Sequence, residues 1–575
     1  MQLHGKIAAM LLFSIALLTS GCGGSSTSGG STPTPTPAPT PTPTPSTTGE
    51  WTWVGGSDTA NAVGVYGTQG IAAASNVPGA RSGSVSWTDG SGDLWLFGGS
   101  GNVSAGVAGG DLNDLWEFSP ATKEWTWISG SNTANASGVY GKLGVASGDN
   151  VPGARENAVS WIDASGNLWL FGGNSNPAQG QLNDLWEFTP ATEEWTWISG
   201  SNTANADGDF SESGVYGTQG VASANNVPPP RDSAVSWTDS SGNLWLFGGE
   251  GFISSTMDGM FNDLWEFNPT SKEWTWVSGS DKPGAKGTYG TLGTASSSNV
   301  PGARGSGGGG ASVSWTDTSG NLWLFGGQGY DSTGNQSYLN DLWKFIPTAK
   351  TWTWVGGSDT ANAVGVYGTQ GIAAANNVPG ARSYSVSWRD NSGNFWLYGG
   401  EGYGPTGTAN GDLSDLWKFS PTTKEWTWVN GSNAGSVDPV YGTQGVASTS
   451  NTPGGRDSSV GWADNSGNLW LFGGFDYDTA SGSNGTNDFL NDLWKFSATT
   501  KEWTWMGGRN TGNANGVYGT LGTPSASNVP GARGSEGIAV TWTDSSGNFW
   551  LFGGDGYDST GIYDGLLNDL WRYQP

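Results

Sequence analysis

Seven arginines share one address in this chain. Arg81, Arg155, Arg231, Arg304, Arg382, Arg456 and Arg533 each close a Pro-x-x-Arg segment just ahead of a short apolar run. A guanidinium fork binds carboxylates and phosphates bidentately. Gathered together, seven of them would hold an anion; alternatively each pairs with a carboxylate of a neighbouring repeat or caps loop carbonyls. A second set joins aromatics to acids in segments of varying length: Tyr330-Asp331, Tyr403, Tyr477-Asp478, Tyr557-Asp558 and Phe252. Rings stack on sugars and carboxylates bond their hydroxyls, so these are the expected ligand-binding residues. Neighbouring Asp oxygens also suit Ca²⁺, but no Asp-x-Asp-x-Asp-Gly loop is present, and no cofactor or metal is expected.

Two absences bound the chemistry further. The sole His is His4 and the sole Cys is Cys22. With the leader removed, no His and no free thiol remain. Ser-His-Asp triads, Cys nucleophiles and His or Cys metal sites are then excluded. No catalytic residue is singled out. The repeated acids have structural readings: Asp163 and its equivalents sit in a hairpin turn, and Asp184 and its equivalents open a strand.

The elements that must position these residues recur. Trp-x-Trp begins at Trp51, Trp125, Trp195, Trp274, Trp352, Trp426 and Trp503, about 70 to 80 residues apart. An aromatic-Gly-Gly follows each, as at Phe171, and then Asp-Leu-Trp, as at Asp184. The 35 Trp divide evenly among the seven repeats, which makes them core rather than ligand platforms. Within Arg155–Ile198 four short aromatic and β-branched runs are bounded by Gly, Pro, Asn and Asp, the signature of strands. The second run, Leu168–Phe171, is apolar on both faces, so each sheet should lie between two others. Four antiparallel strands repeated around an axis predict an all-β, seven-bladed β-propeller.

These motifs resemble the kelch repeat, whose marks are a Gly-Gly after the second strand, an aromatic in the third and a Trp opening the fourth. The resemblance covers 51–575, with repeats longer than the family's by some 25 residues. The chain begins the fold on a fourth strand at Trp51 and ends it on a third at Leu570–Tyr573, so the N-terminal strand is expected to complete the last blade. The arginines would ring the mouth of the central channel. The extra length falls in the second-to-third and between-blade loops, which should emerge on one face, the expected binding surface.

The first residues look like a bacterial lipoprotein leader. Lys6 precedes an apolar stretch, Ile7 to Leu18, too short to span a bilayer. Leu18-Thr19-Ser20-Gly21-Cys22 resembles a lipobox, with Thr19 where that pattern usually has Leu. The chain is therefore expected to comprise a signal peptide over 1–21 and a lipidated Cys22 with a Gly/Ser and Thr/Pro tether over 22–50. The propeller over 51–575 would follow. Gly23 after the Cys implies the outer membrane or cell surface, with membrane contact through the lipid anchor only.

Charge narrows the partners. Only 12% of residues are charged and the net charge is −27, which excludes nucleic acid. The expected function is a surface-exposed binding or scaffold module for protein or glycan, most simply a monomer. A carbohydrate-active enzyme is one alternative: kelch-like propellers include sialic acid mutarotases, and a carboxylate-dependent glycosidase needs only paired acids. Galactose oxidase chemistry needs His and a Tyr–Cys crosslink, which this chain lacks. A purely structural envelope protein is another alternative.

Overall fold

The computed structural model describes residues 49–575, apart from 104–108, 176–179, 204–213, 255–256, 306–311, 408–410, 478–486, 535–538 and 562–564. Cys22 lies outside the described residues. Among them there is no helix; the chain is all-β.

The second repeat shows how the sequence makes a sheet. Val159–Ile162, Leu168–Phe171, Leu185–Thr189 and Glu194–Ser199 pair antiparallel in that order. Side chains alternate between faces. Leu168 and Leu170 therefore pack toward the first repeat, and Trp169 and Phe171 toward the third. The continuous apolar run Leu-Trp-Leu-Phe is thus buried on both sides. The hairpin before it is pinned by Asp163, whose carboxylate accepts hydrogen bonds from Ser165 N, Asn167 N and the Trp169 indole. The same Asp–Trp bond recurs in every repeat, for example Asp89–Trp95 and Asp544–Trp550.

Six sheets of four strands and one of five follow in chain order. The fifth strand of the latter is the two-residue Ala295–Ser296. Each pair of successive sheets shares one apolar cluster. A further cluster joins Trp542, Trp550 and Phe552 of the last sheet to Leu94, Trp116 and Phe118 of the first. The strand Trp51–Gly55 is the outer member of the last sheet, with Trp51 opposite Tyr573 and Trp53 opposite Trp571. No single sheet closes on itself.

The between-repeat connections begin beside the second-to-third connections, as where Asn135 N donates to Asp111 O, but do not stay there. They fold down over the outer strand of the following sheet. Gly70 N donates to Trp127 O, the Asn76 amide to Trp125 O, and Ala73 bridges Trp125. The outer edge is thereby covered. The second-to-third connections meet the first part of the between-repeat ones, as Asp111 N meets the Asn135 side chain. Beyond the Gly-Gly they continue as small ribbons, such as Ser100–Gly101 with Gly110–Asp111 and Glu401–Gly402 with Gly411–Asp412. The glycine of Pro-Gly-Ala-Arg lets the chain pass under such a ribbon: a Cβ on Gly79 would lie 1.7 Å from Asn102 O.

Candidate ligand-binding site

The arginines come first because they anchor the ribbons. All seven are buried, at 0–3% exposure. Each guanidinium grips the Asp of its own repeat's Asp-Leu-Trp with two bonds of 2.6–2.9 Å: Arg81–Asp114, Arg155–Asp184, Arg231–Asp263, Arg304–Asp341, Arg382–Asp415, Arg456–Asp492 and Arg533–Asp569. The carboxylate also accepts the hydroxyl of the between-repeat Tyr and the indole of the following Trp. In the first repeat these are Tyr66, at 2.6 Å, and Trp116, at 2.7 Å; the same pair is present in the other six. Further guanidinium N–H groups reach backbone carbonyls, as Arg81 does to Gly79 O and Gly98 O, while Arg456 Nε has no partner. Burial alone would push Arg81 down and Asp114 up; their mutual attraction reverses both shifts. The arginines thus lie beneath the surface, engaged by their own repeat's carboxylate, rather than at an open rim facing an anion.

The aromatic and acidic loop residues divide. Asp331 is 1% exposed. It accepts Thr333 N, Thr333 Oγ1, Gly334 N and Asn335 N on one oxygen and Ala361 N of the next repeat on the other. Burial raises its pKa, but these bonds, with Ala361 N foremost, bring it down to about 2. Asp558 repeats the arrangement with Thr560 and with Ala60 N. Both are turn organisers that tie one repeat to the next. Tyr330, Tyr403 and Tyr557 are half-buried. Tyr403 meets Tyr338 edge-on at 6.3 Å, and Tyr557 meets Phe489 at 6.1 Å. Asp478 lies outside the described residues, as does the side chain of Tyr477.

Above the buried Arg–Asp–Tyr–Trp groups the ribbons present something the loop tips do not. In each repeat three residues stand side by side: the one after the Arg, the one after the Gly-Gly, and the one two before the Asn (or Ser) of Asn-Asp. Ser82, Ser100 and Asp111 are in direct register, as are Ser383, Glu401 and Asp412. Glu156, Asn174 and Gln181 form the second row; Asp232, Glu250 and Met260 form the third. Gly305, Gln328 and Tyr338 make the fourth, Asp457, Phe475 and Phe489 the sixth, and Gly534, Asp555 and Leu566 the seventh. Directly opposed residues of antiparallel strands share a face.

Rows one to three touch in succession, and so do rows four to six. The Gln181 amide donates to Asp232 at 3.3 Å, Tyr338 hydrogen-bonds Glu401, and Asp412 hydrogen-bonds Asp457. The backbone links them too: Asn157 N donates to Gly83 O, Ser233 N to Asn157 O, and Ser458 N to Tyr384 O. The result is a collar. Eight of its row positions are acidic and none is basic. Burial, then the charges of Asp111 and Asp232, raises Glu156. Burial, with the charge of Glu401 added, pushes Asp457 up to about 6 against hydrogen bonds from Ser458 and Asp412.

The collar is what reading the sequence missed. Its signal was present: within a strict repeat, these three positions beside the fixed markers change residue type from copy to copy. A separate acidic group, Asp89, Asp93 and Glu117, lies at the hairpin turn of the first repeat, with ligand oxygens within 4.8 Å of one another. These three acids have the chemistry to hold a cation.

No family model matches the chain, and no curated protein matches it. Among solved structures it is similar to that of YjhT, at 14% identity and a TM-score of 0.39, over 75% of this chain and 95% of that one. At that score the likeness adds nothing to the site.

Proposed function

We propose that this chain is a glycan-binding module: a seven-bladed kelch-type propeller, closed by the strand at Trp51, that recognises its ligand through the collar. The observation that carries the reading is a contrast between two layers. The buried Arg–Asp–Tyr–Trp groups are the same in all seven repeats, as a scaffold requires. The rows directly above them differ in every repeat, as recognition of one asymmetric ligand requires. Carboxylates, amides and half-buried aromatics in one surface suit hydroxyl-rich rings. A carboxylated sugar of the sialic acid kind meets like charge there, which argues against a mutarotase-like role.

The leader and tether fit the same reading. Export, lipidation at Cys22 and a Thr/Pro spacer over 22–50 would hold the propeller away from an outer-membrane surface. Loss of fatty-acid labelling in Cys22→Ser would test the anchor.

The function itself is tested by screening the mature chain on immobilised glycans. Binding should be lost in Tyr338→Ala and Glu250→Ala and retained in Ile71→Ser on the outer connections. A bound envelope protein whose capture depends on the outer connections and ignores the collar would overturn the assignment.

A further inference from the structure

The collar is not uniform, and one sector of it is chemically specialised. Where the fourth, fifth and sixth rows meet, three carboxylates, Glu401, Asp412 and Asp457, gather with the phenol rings of Tyr338, Tyr384 and Tyr403. We propose that this sector binds a protonated amine carried on a glycan, that is, an amino sugar whose nitrogen is not acetylated. The inference rests on the collar being a glycan site.

Three observations point to a cationic nitrogen. Ser383 stands in register with Glu401, which stands in register with Asp412, so all three side chains leave the same face. The Ser383 hydroxyl is buried in a residue 1% exposed and has no hydrogen-bond partner. An orphaned buried hydroxyl is costly, and an ammonium placed against the two neighbouring carboxylates would satisfy it.

The backbone supplies the second observation. Tyr384 is held at φ 54°, at the position occupied by Gly83, Asn157, Ser233 and Ser458 in other repeats. Glycine and small polar residues tolerate that region, whereas a bulky aromatic is strained there, and such strain persists where function keeps it. It brings a further phenol close to that of Tyr338, which is itself bonded to Glu401.

The third is the combination of groups. Three acids and several phenol faces, with no base at any row position, match an ammonium on a stacked pyranose: three N–H donors, one positive charge and an apolar ring face. Ca²⁺ would use the oxygens but would gain nothing from the rings. Burial above all, with the charge of Glu401 added, raises the Asp457 carboxyl, and a cation beside it would offset both.

The test is calorimetric titration of the mature full-length chain with a glucosamine tetramer and with its fully N-acetylated counterpart. The free-amine oligomer should bind tighter by about tenfold or more, the scale of one charge-assisted contact. Glu401→Gln and Ser383→Ala should erase that preference. Tyr384→Gly should raise the melting temperature while weakening binding, a pair of opposite shifts that a purely structural tyrosine would not give. Equal affinity for the two oligomers overturns the amine while leaving a glycan site standing. Ca²⁺ binding that is lost in Glu401→Gln and competes with the oligomer also overturns it, in favour of a metal. Failure of both oligomers, together with a blank glycan screen, overturns the amine and the glycan reading together.

Discussion

At the scale of single residues, the Arg–Asp pairs decide stability through what is left when one partner goes. Two buried charges gain little over apolar replacements, but removing one strands the other, at about 3–5 kcal/mol. Arg304→Ala should therefore cost about 3–5 kcal/mol in urea unfolding, because Asp341 is wholly buried. Tyr289→Phe, which deletes one donor to the same carboxylate, should cost about 1 kcal/mol. An Arg304→Ala loss below that of Tyr289→Phe would refute the pairing. The arginine address was legible in the sequence, and its partner was not. Asp341 follows Arg304 across a loop of variable length, and only the folded ribbon brings them together. A second residue-scale feature breaks the repeat. Lys272 bonds Glu187 at 2.6 Å and Lys350 lies 3.2 Å from Glu266, each across two sheets. At the equivalent junction Glu117 faces Glu193 instead. Burial, then Asp93, Asp89 and Glu193, push Glu117 up to about 7. A carboxyl with a raised folded pKa binds more protons folded than unfolded, so its contribution is favourable at low pH. It is lost as pH rises from about 4.5 through about 7. Glu193→Lys should flatten that slope and stabilise the protein above pH 7 by about 0.2–1 kcal/mol, the range for a partly exposed pair. Melting temperature against pH, for wild type and variant, checks both statements.

At the scale of elements, the strands were readable because their pattern is unambiguous: short aromatic runs with period two, apolar on both faces where a sheet is covered twice. The connections were harder. Loop length says that a segment is long, while its path depends on backbone bonds such as Gly70 N to Trp127 O, which involve no distinctive side chain. The collar was hidden for a related reason. Its rows are assembled from three separate segments by ribbon register, and no one segment carries a motif. The strand Trp51–Gly55 illustrates what such an element contributes. Trp51 is 3% exposed and packs tilted or edge-on against Phe472, Trp571 and Tyr573, while the Asn528 amide donates to its carbonyl. Trp51→Ala should cost about 3–5 kcal/mol, the usual figure for truncating a buried Trp. Deleting 51–56 should cost more, because it also exposes the edge of Gly565–Tyr573. A deletion variant that melts with wild type would mean that this strand is dispensable to the last sheet.

At the scale of the whole molecule, the junction between the last and first repeats reuses parts found at other junctions. The last sheet shares a cluster with the first as the other successive pairs share theirs. Asp558 reaches Ala60 N as Asp331 reaches Ala361 N. Asn568 bonds Pro78 O as Asn340 bonds Pro379 O. Gly49 N donates to Gln574 O, so the two ends of the fold are within bonding distance. If seven equivalent junctions carry the stability, the position of the chain break should matter little. In the last sheet the third and fourth strands come from opposite ends of the fold, where the other repeats join them by a short turn. A permutant with Pro575 joined to Gly49 by a short linker, reopened at the exposed turn between Thr422 and Thr423, places the break in another copy of the same turn. Its strand pairs and sheet contacts are unchanged, and only loop closure differs, a term that varies slowly with length. The permutant should fold and melt within a few degrees of wild type, on the order of 1 kcal/mol. Failure to fold would mean that the sheets are not equivalent, and that the last one, where Trp51 pairs with Tyr573, tolerates a break between its third and fourth strands that another sheet does not.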